Sequence, residues 1–531
     1  MPLHIPSQFN IAEWFVDRPT AEHPRRWAIL GEPDAITYEE LGALVRRAAA
    51  ALRGSGCTPG ERVLIALPDS VEFMAAFFGA ARIGAIAVPV NPWARNIEFA
   101  YYLEDSGARF AIVHASVLSE FPLTYCRREV EIVAVGQGES GGAAQRLKYW
   151  QEWLGPDQAR NSPVHPTAAT DPAFILYTSG STGQPKGAVH QHKDMRVTSE
   201  SMGRGVLGLT ELDRIFSVSK LFFAYGLGNA MYFPLSVGAS VVLNPGRTKV
   251  DRVVELIARH RVTVFAAVPT FYAALLREIA PGLPADFSSL RAAVSAGEPL
   301  PAEIFEKFRA RFGVEILDGI GSTEMLQTFI SNRPGQARAG TCGVPVPNYE
   351  IEIAREDGTP AATGEVGDMR VRGPSAFAGY WNKPELSARA RIGGWVVTGD
   401  RFSRDAEGYY HFCGRQDDLM KISGMWVSPG EVEIVLLEHP RVAEAAVAGV
   451  PDSSGLLQPT AFIVCRPGTI AGGEIAAEIL EYARGRLPSH KRPRSIEFVS
   501  ELPKTATGKI QRFRLRTQAQ AHAAGGSTQE K

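Results

Sequence analysis

The sequence is poor in features that mark several classes of protein. It has five cysteines among 531 residues, without a Cys-x-x-Cys pair or Cys/His spacing, which excludes a disulfide scaffold and a zinc site and indicates reduced thiols. The formal net charge is −1, so the chain lacks the basic excess typical of nucleic-acid-binding proteins. His190 and His192 have no further metal ligands beside them and are expected at the surface.

The sequence also lacks the patterns of a signal peptide and of a membrane-spanning segment. The N-terminus has no basic segment followed by an apolar core, so no signal peptide is predicted. The longest apolar region, 73–90, is interrupted by Arg82 and predicts a core helix and a buried strand, because a membrane span needs about 20 apolar residues. We expect a cytoplasmic protein with neither a membrane nor a nucleic acid as partner.

Helical and strand patterns alternate along much of the chain, which is long enough for at least two domains. The clearest examples are a helix over 41–52, a strand over 63–67, a helix over 71–81 and a strand over 85–90. This alternation predicts parallel sheets covered by helices. We predict an α/β protein with a large N-terminal domain over 1–414, including a small β-rich subdomain over about 343–414. A small α+β C-terminal domain over 415–531 follows, with a disordered tail over about 517–531.

The most informative segment is YTSGSTGQPKG, from Tyr177 to Gly187. It follows an apolar run that predicts a buried strand, so the loop leaves the edge of a sheet. It is not a Walker A loop, because Pro185 precedes Lys186 and Gly187 follows it. The Pro-Lys-Gly ending also disfavours a flexible linker. Glycines, hydroxyls and one lysine can bind polyphosphate, and the predicted residues are Thr178, Ser179, Gly180, Ser181, Thr182, Gly183 and Lys186.

This segment resembles the phosphate loop of the adenylate-forming superfamily, which includes acyl- and aryl-CoA ligases, adenylation domains of peptide synthetases and firefly luciferase. Further segments resemble other motifs of that family: GIGSTE at 319–324, TGD at 398–400, GRQDD at 414–418 and PKTATGK at 503–509. Each is weak alone, and TGD by itself would predict a turn. All of them in the family's order and spacing argue against coincidence.

The resemblance implies that ATP activates a carboxylic acid as its adenylate, and that a thiol then expels AMP. It implies ATP, Mg²⁺ and coenzyme A as cofactors, with Glu324 as the Mg²⁺ ligand and Lys509 as the catalytic lysine. Glutamate suits Mg²⁺, which prefers oxygen ligands. The remaining nucleotide-binding residues implied are Gly319, Ile320, Gly321, Thr323, Asp400 and Arg415.

In the family, the small C-terminal domain is mobile and rotates between the two half-reactions. The resemblance implies that Asp417 is the hinge. The segment that then enters to form the coenzyme A tunnel includes Lys421, Ser423, Gly424 and Trp426.

The segment KLFFAYGLG at 220–228 and the motif GIGSTE with Met325 look most like the benzoate-CoA ligase branch of the family, as does the junction KISGMWVSP at 421–429. The resemblance implies an aryl pocket formed by Ala224, Tyr225, Ala296, Gly321, Gln327 and Thr328. That branch has His-Ile where this chain has Gln327-Thr328. Because an unfilled buried amide is costly, we expect Gln327 to bond a ring hydroxyl or amino group, or a retained water. Hydroxybenzoate and aminobenzoate are therefore candidates beside benzoate.

We predict an AMP-forming aryl acid:CoA ligase. The main alternative is an enzyme that loads an aryl group onto the pantetheine of a separate carrier protein, which would share every motif above. A nucleotide-binding protein without ligase chemistry is a second alternative, which Lys509 and Glu324 disfavour. The sequence leaves open whether the protein forms a homodimer.

Overall fold

The structure is a computed structural model that describes residues 3–31, 35–122, 130–137, 147–155, 162–179, 184–246, 248–279, 285–415, 418, 420–422, 425–452, 457–504 and 510–525. The chain divides into two compact units. The first contains 1–351 and 370–397, and the second contains 352–369 and 398–531. The predicted boundary between residues 414 and 415 stays a prediction.

The strands are short and follow one another along the whole chain. In chain order they are β1 Trp27–Leu30, β2 Ile36–Thr37, β3 Arg62–Ala66, β4 Ile86–Pro89, β5 Phe110–His114, β6 Glu131–Val135, β7 Leu147–Tyr149, β8 Pro172–Ser179, β9 Pro185–Gln191, β10 Arg214–Ser217, β11 Ser240–Val242, β12 Val264–Ala267, β13 Ala292–Ser295, β14 Ile316–Gly321, β15 Thr328–Ser331, β16 Val344–Pro345, β17 Glu350–Ala354, β18 Gly367–Arg372, β19 Gly379–Tyr380, β20 Arg391–Ile392, β21 Trp395–Arg404, β22 Tyr410–Arg415, β23 Met420–Ile422, β24 Met425–Val427, β25 Val442–Pro451, β26 Leu457–Cys465 and β27 Ser495–Phe498.

Helices alternate with these strands except between β13 and β23, where strands predominate. In chain order the α-helices are α1 Arg18–Glu22, α2 Tyr38–Gly54, α3 Val71–Arg82, α4 Asn96–Ser106, α5 Trp150–Leu154, α6 His192–Thr198, α7 Ala224–Leu227, α8 Phe233–Val237, α9 Val250–His260, α10 Pro269–Glu278, α11 Ala302–Phe312, α12 Pro384–Ala390, α13 Pro429–Leu437, α14 Gly473–Arg484 and α15 Arg512–Gly525. Single π-helical turns adjoin α1, α6 and α8.

Two large sheets form the first unit. One has eight strands in the order β19-β9-β8-β4-β3-β5-β6-β7, parallel from β8 to β7 and antiparallel at β8/β9 and β9/β19. The other has nine strands in the order β16-β15-β14-β13-β12-β10-β11-β1-β2, parallel from β14 to β1. Ligands of such sheets bind beyond the carboxyl ends of the parallel strands.

The apolar region 73–90 forms α3 and β4, as predicted, and nearly every side chain of α3 is buried. Ser70 caps the helix by accepting a hydrogen bond from the backbone N–H of Phe73. Arg82 is tolerated in this core because its guanidinium pairs with Asp17 at 2.5 Å and donates to the Ser162 carbonyl. Among the helices of the described residues, none combines the length and the apolar character that a bilayer span requires.

The second unit contains the antiparallel pairs β21/β22 and β23/β24 and the sheet β25-β26-β27. Helix α15 packs against this sheet, with Leu515 and Ala519 buried. The polar stretch expected to be disordered from Thr517 therefore begins within a helix that runs to Gly525. At the start of α15, Arg512 forms ion pairs with Glu433 at 2.8 Å and with Asp418 at 3.1 Å.

The surface prediction for His190 and His192 is wrong, because both side chains are fully buried. His190 lies on β9, with Nδ1 at 3.0 Å from Asp194 Oδ2 and Nε2 at 2.8 Å from the carbonyl oxygen of Thr323. Both ring nitrogens therefore lie within hydrogen-bonding distance of an acceptor, one a carboxylate and the other a backbone carbonyl. His192 Nδ1 accepts a hydrogen bond from the backbone N–H of Ile11.

Candidate active site

The predicted phosphate loop joins β8 and β9, an antiparallel hairpin at one side of the eight-stranded sheet. Strand register places Thr178 opposite Lys186. Gly187 is required by close packing, since a Cβ there would lie 2.7 Å from Ile175 Cγ2. Gly180, Ser181, Thr182 and Gly183 lie outside the described residues, as does the side chain of Ser179.

The base of this hairpin is held by a partly buried carboxylate that the sequence did not single out. Asp105 accepts a hydrogen bond from the Tyr177 hydroxyl at 2.8 Å and pairs with Lys383 at 2.5 Å. The Tyr101 hydroxyl donates to the Pro185 carbonyl at 2.6 Å. These bonds fix both strands of the hairpin where they enter the loop.

The motif GIGSTE leaves the carboxyl end of β14 and ends in a single 3₁₀ turn over Thr323–Met325. Ser322 caps this turn by accepting from the backbone N–H of Met325. Glycines are needed before this turn. A Cβ at Gly319 would lie 2.6 Å from the carbonyl oxygen of Ile330, and a Cβ at Gly321 would lie 2.6 Å from that of Gln327. His190 and Phe377 bond the turn's backbone, at the carbonyls of Thr323 and Glu324 respectively.

The Glu324 side chain lies beside the hairpin. Its Oε1 accepts a hydrogen bond from the Tyr380 hydroxyl at 2.6 Å, and Lys186 Nζ reaches the same hydroxyl at 3.4 Å. The Lys186 ammonium also lies 4.5 Å from the centre of the Tyr380 ring. We call Lys186, Glu324 and Tyr380 the phosphate corner.

The phosphate corner fits a magnesium ion bound with a nucleotide. Within the described part of the chain, nothing donates to Glu324 Oε2, so this half-buried carboxylate retains an oxygen for a cation. Mg²⁺ typically takes one or two protein carboxylates and completes its octahedron with phosphate oxygens and water. Lys186 provides the positive charge that such a phosphate needs.

The residues predicted to form an aryl pocket lie next to the carboxyl ends of β13 and β14 or are hydrogen-bonded to one another, and we keep the name aryl pocket for this predicted site. The Tyr225 hydroxyl donates to the Val294 carbonyl at 3.1 Å, which lays the side chain across β13. Burial raises the pKa of Tyr225 well above its ordinary value, so this phenol stays protonated. Ala296 directly follows β13 and is buried.

Gln327 and Thr328 complete this cluster, and Gln327 is 3% exposed. Gln327 Nε2 lies 3.3 Å from the carbonyl oxygens of both Ala224 and Tyr225. Its Oε1 accepts from the Thr328 backbone N–H and hydroxyl, each at 3.1 Å. The expectation that this amide needs a ring substituent or a water is wrong in its premise, since the protein already bonds both of its ends.

The turn between the phosphate corner and the aryl pocket depends on an unusual backbone conformation. Leu326 has a φ of +67°, which is rare for a residue other than glycine. Its side chain is fully buried. Register pairs Gly321 with Thr328 across β14 and β15, so both ends of the segment between them are fixed.

A buried carboxyl group lies within β14, directly before the GIGSTE motif. Asp318 is 5% exposed, and within the described residues its Oδ1 has no hydrogen-bond partner. Burial raises its pKa to about 8, so the group is largely neutral at neutral pH.

In the second unit, Asp400 and Arg415 lie opposite each other on β21 and β22. Arg415 Nε is 3.6 Å from Asp400 Oδ1, so the predicted ribose ligand and its neighbouring cation form one pair. The backbones of Lys421 and Trp426 pair in the β23/β24 hairpin. The predicted residues Asp417, Ser423, Gly424 and Lys509 lie outside the described residues.

The chain was compared with known proteins. The model of the AMP-binding enzyme family matches residues 16–381, and that of the AMP-binding enzyme C-terminal domain matches residues 431–509. The chain is 42% identical over 522 residues to a benzoate–CoA ligase of Thauera aromatica, covering 97% of each chain. It is 39% identical to a 4-hydroxybenzoate–CoA/benzoate–CoA ligase of Rhodopseudomonas palustris, covering 97% of this chain and 95% of that one.

Among solved structures, an anthranilate CoA ligase in complex with anthranoyl-AMP matches with a TM-score of 0.91 at 39% identity. The match covers 98% of this chain and 99% of that one. The predicted α/β class, with a large N-terminal and a small C-terminal domain, is confirmed by these matches. The predicted family is confirmed as well. This chain belongs to the AMP-binding enzymes, the adenylate-forming superfamily.

Proposed function

We propose that this protein is an ATP-dependent aryl acid:CoA ligase. It activates benzoate, or a hydroxy- or amino-benzoate, as the aryl-adenylate and transfers the aroyl group to coenzyme A, releasing pyrophosphate and AMP. The observation that carries the proposal is the short segment from Gly321 to Thr328, which joins the phosphate corner to the aryl pocket. The acid and the phosphates are thereby held next to each other. The named relatives act on benzoate, 4-hydroxybenzoate and anthranilate.

The first half-reaction needs stabilisation of negative charge. A carboxylate oxygen attacks the α-phosphorus of ATP, the bond to the β-phosphate oxygen breaks, and pyrophosphate leaves with that electron pair. Lys186 and the backbone N–H groups of the hairpin loop stabilise the charge that accumulates on the phosphoryl oxygens. Mg²⁺ held by Glu324 and phosphate oxygens would neutralise further charge on the leaving group.

The aryl pocket suits a flat, apolar ring. The Tyr225 ring forms one wall of the pocket. The Tyr225 hydroxyl and the Gln327 amide are hydrogen-bonded to protein groups, so neither presents an unsatisfied donor or acceptor to the substrate ring. Aromatic contacts of this kind contribute about 0.5–1.5 kcal/mol beyond burial.

The remaining roles follow the family pattern. Lys509 bridges the carboxylate and the α-phosphate in the first step, and Asp400 accepts the ribose hydroxyls. Rotation about Asp417 then brings in Lys421, Ser423, Gly424 and Trp426 for attack by the coenzyme A thiol. The thiol sulfur bonds to the adenylate carbonyl carbon, AMP leaves, and the thiol proton is lost to solvent.

The test is to measure AMP formation from Mg²⁺ and ATP with benzoate, hydroxybenzoates, aminobenzoates, cyclohexanecarboxylate and medium-chain fatty acids, each with and without coenzyme A. We expect turnover that depends on both an aryl acid and coenzyme A. Lys509→Ala should abolish adenylate formation but retain thioester formation from a supplied aryl-adenylate. Aryl-dependent pyrophosphate exchange without coenzyme A turnover would instead indicate a carrier-protein acceptor, and turnover of fatty acids alone would refute the aryl assignment.

A further inference from the structure

Tyr380 occupies a position between two groups of the active site that differ in charge. Its hydroxyl donates to Glu324 Oε1 at 2.6 Å, whereas its ring face lies under the Lys186 ammonium at 4.5 Å. Neither the phosphate motif nor the GIGSTE motif contains this residue, which lies 56 positions beyond Glu324 in the sequence. One side chain thus contacts the proposed magnesium ligand and the phosphate-binding lysine.

The backbone around Tyr380 is fixed on both sides. Strand β19 pairs with β9, with Tyr380 opposite Ala188, and the Trp381 N–H donates to the Gly187 carbonyl at 2.7 Å. The Tyr380 N–H donates to the Ser387 hydroxyl at 2.8 Å. The Phe377 N–H donates to the Glu324 carbonyl at 2.8 Å, so the same segment bonds the backbone of the glutamate.

The Tyr380 hydroxyl has a defined chemical consequence for Glu324. A carboxylate that is hydrogen-bonded through one oxygen loses rotational freedom, and its second oxygen points in one direction. Oε2 is that second oxygen, and within the described residues nothing donates to it. The ring face contributes separately, since a cation over a tyrosine ring is attracted by the ring quadrupole and keeps Lys186 beside the carboxylate without a direct ion pair.

We propose that Tyr380 is a positioning residue for the metal–phosphate complex. Its hydroxyl orients Glu324 toward the magnesium ion, and its ring orients Lys186 toward the phosphates. This inference rests on the proposed function, because it assigns Mg²⁺ and ATP to the phosphate corner. The two parts of the side chain act on different ligands and are separable by mutation.

Tyr380→Phe removes only the hydroxyl. Groups that orient metal ligands typically change metal affinity by about 10–100-fold, so the Mg²⁺ concentration that half-saturates pyrophosphate release should rise by about that factor. The loss of rate should be smaller at saturating than at limiting Mg²⁺. Tyr380→Leu removes the ring as well, and should in addition raise the KM for ATP at saturating Mg²⁺.

Binding provides a readout that does not require turnover. ATP binding is titrated calorimetrically without an aryl acid, at a series of Mg²⁺ concentrations and with EDTA. For Tyr380→Phe we expect weaker ATP binding at limiting Mg²⁺ and unchanged binding in EDTA. A double-mutant cycle with Glu324→Gln should be strongly non-additive, because the hydroxyl acts through that carboxylate.

Tyr349→Phe is the matched control. Its hydroxyl is also buried and bonded, to Ser375 at 2.7 Å, but does not contact Glu324. It should leave the Mg²⁺ dependence unchanged. The proposal is overturned if Tyr380→Phe and Tyr349→Phe share the parent's Mg²⁺ dependence, or if the cycle with Glu324→Gln is additive. A parent enzyme that binds Mg²⁺ and ATP but forms no aryl-adenylate would refute the proposed function while leaving the calorimetric test of Tyr380 intact.

Discussion

The aryl pocket and the phosphate corner lie in the same unit, yet their polar groups are bonded in opposite ways. In the aryl pocket, both ends of the Gln327 amide and the Tyr225 hydroxyl have protein partners. In the phosphate corner, the Glu324 side chain receives one hydrogen bond from the described residues, and Lys186 reaches a phenol only at 3.4 Å. A neutral ring is best bound by walls without unfilled hydrogen-bonding capacity, whereas charged phosphates and a cation need groups that retain it.

The largest effect on activity is expected at Glu324, because the charge of this carboxylate is retained for the ligand. Glu324→Gln keeps the shape but loses the negative charge, and should lower the rate of pyrophosphate release by about 10²–10³-fold, as for other electrostatic groups at active sites. The rate is measured across a Mg²⁺ titration. Glu306→Gln, at an exposed position of α11, serves as the control. A decrease of less than threefold would contradict the role of Glu324.

At Asp318, burial disfavours the ionised form of the carboxyl group. Burial raises its pKa from the ordinary 3.8 to about 8, so the folded protein retains a proton that the unfolded chain loses above about pH 4. The free energy of unfolding should therefore fall as pH rises from about 4 to about 8, by up to about 1.4 kcal/mol per unit. Asp318→Asn cannot ionise, and should flatten this slope and gain most at pH 8.

Urea unfolding at pH 5 and pH 7 measures the effect. The control is Asp286→Asn, which changes a fully exposed acid whose pKa is lowered by hydrogen bonds from Ser288. It should leave the fall in stability between these two pH values in place. A slope that is the same in Asp318→Asn and the parent would show that this carboxyl group is not the source.

A substitution of Gln327 distinguishes two roles for its amide, stabilising the fold or binding the substrate. Gln327→Leu removes the amide's hydrogen bonds to the carbonyls of Ala224 and Tyr225 and takes the acceptor from the buried Thr328 N–H, which should lower the free energy of unfolding by about 1–3 kcal/mol. Gln151→Leu, at an exposed position, should have little effect. If Gln327→Leu instead raised the KM for aryl acid without changing stability, the amide would belong to the substrate.

The smallest effect is expected for a change of ring preference. Replacing Gln327 by His together with Thr328 by Ile introduces the pair expected in the benzoate-CoA ligase branch. The ratio of kcat/KM for benzoate over 4-hydroxybenzoate should rise by about tenfold, the scale of a small change in pocket volume. The KM for ATP provides the internal control, because the phosphate corner is unchanged. An unaltered ratio would exclude these positions as determinants of ring preference.

Local patterns in the sequence predicted much of the fold. The helix predicted over 41–52 lies within α2, Tyr38–Gly54, because Leu41, Val45, Ala48 and Leu52 recur on one buried face. The order of strands within the sheets was not predicted. Strand β19 has two residues and pairs with β9 almost 200 positions earlier, so its pairing depends on tertiary packing that no local period encodes.

The chemical types at the site were easier to predict than their partners. Lys186 and Glu324 were identified from motifs, but their shared neighbour Tyr380 was not, because contact arises only when β19 joins the sheet. The polarity of Gln327 was visible, whereas its four protein contacts were not. His190 was misassigned to the surface because its buried hydrogen-bond partner, Asp194, is brought to it only by the direct succession of β9 and α6.

The backbone turn at Leu326 sets a limit on how this enzyme can be redesigned. Since Gly321 is paired with Thr328, the segment between them has a fixed span, and one non-glycine residue with positive φ absorbs its curvature. An inserted or deleted residue would move the carboxylate of Glu324 and the ring-facing positions together. Acid specificity should therefore respond to substitutions at 327 and 328, whereas changes in the length of this segment should disable both substrates' sites at once.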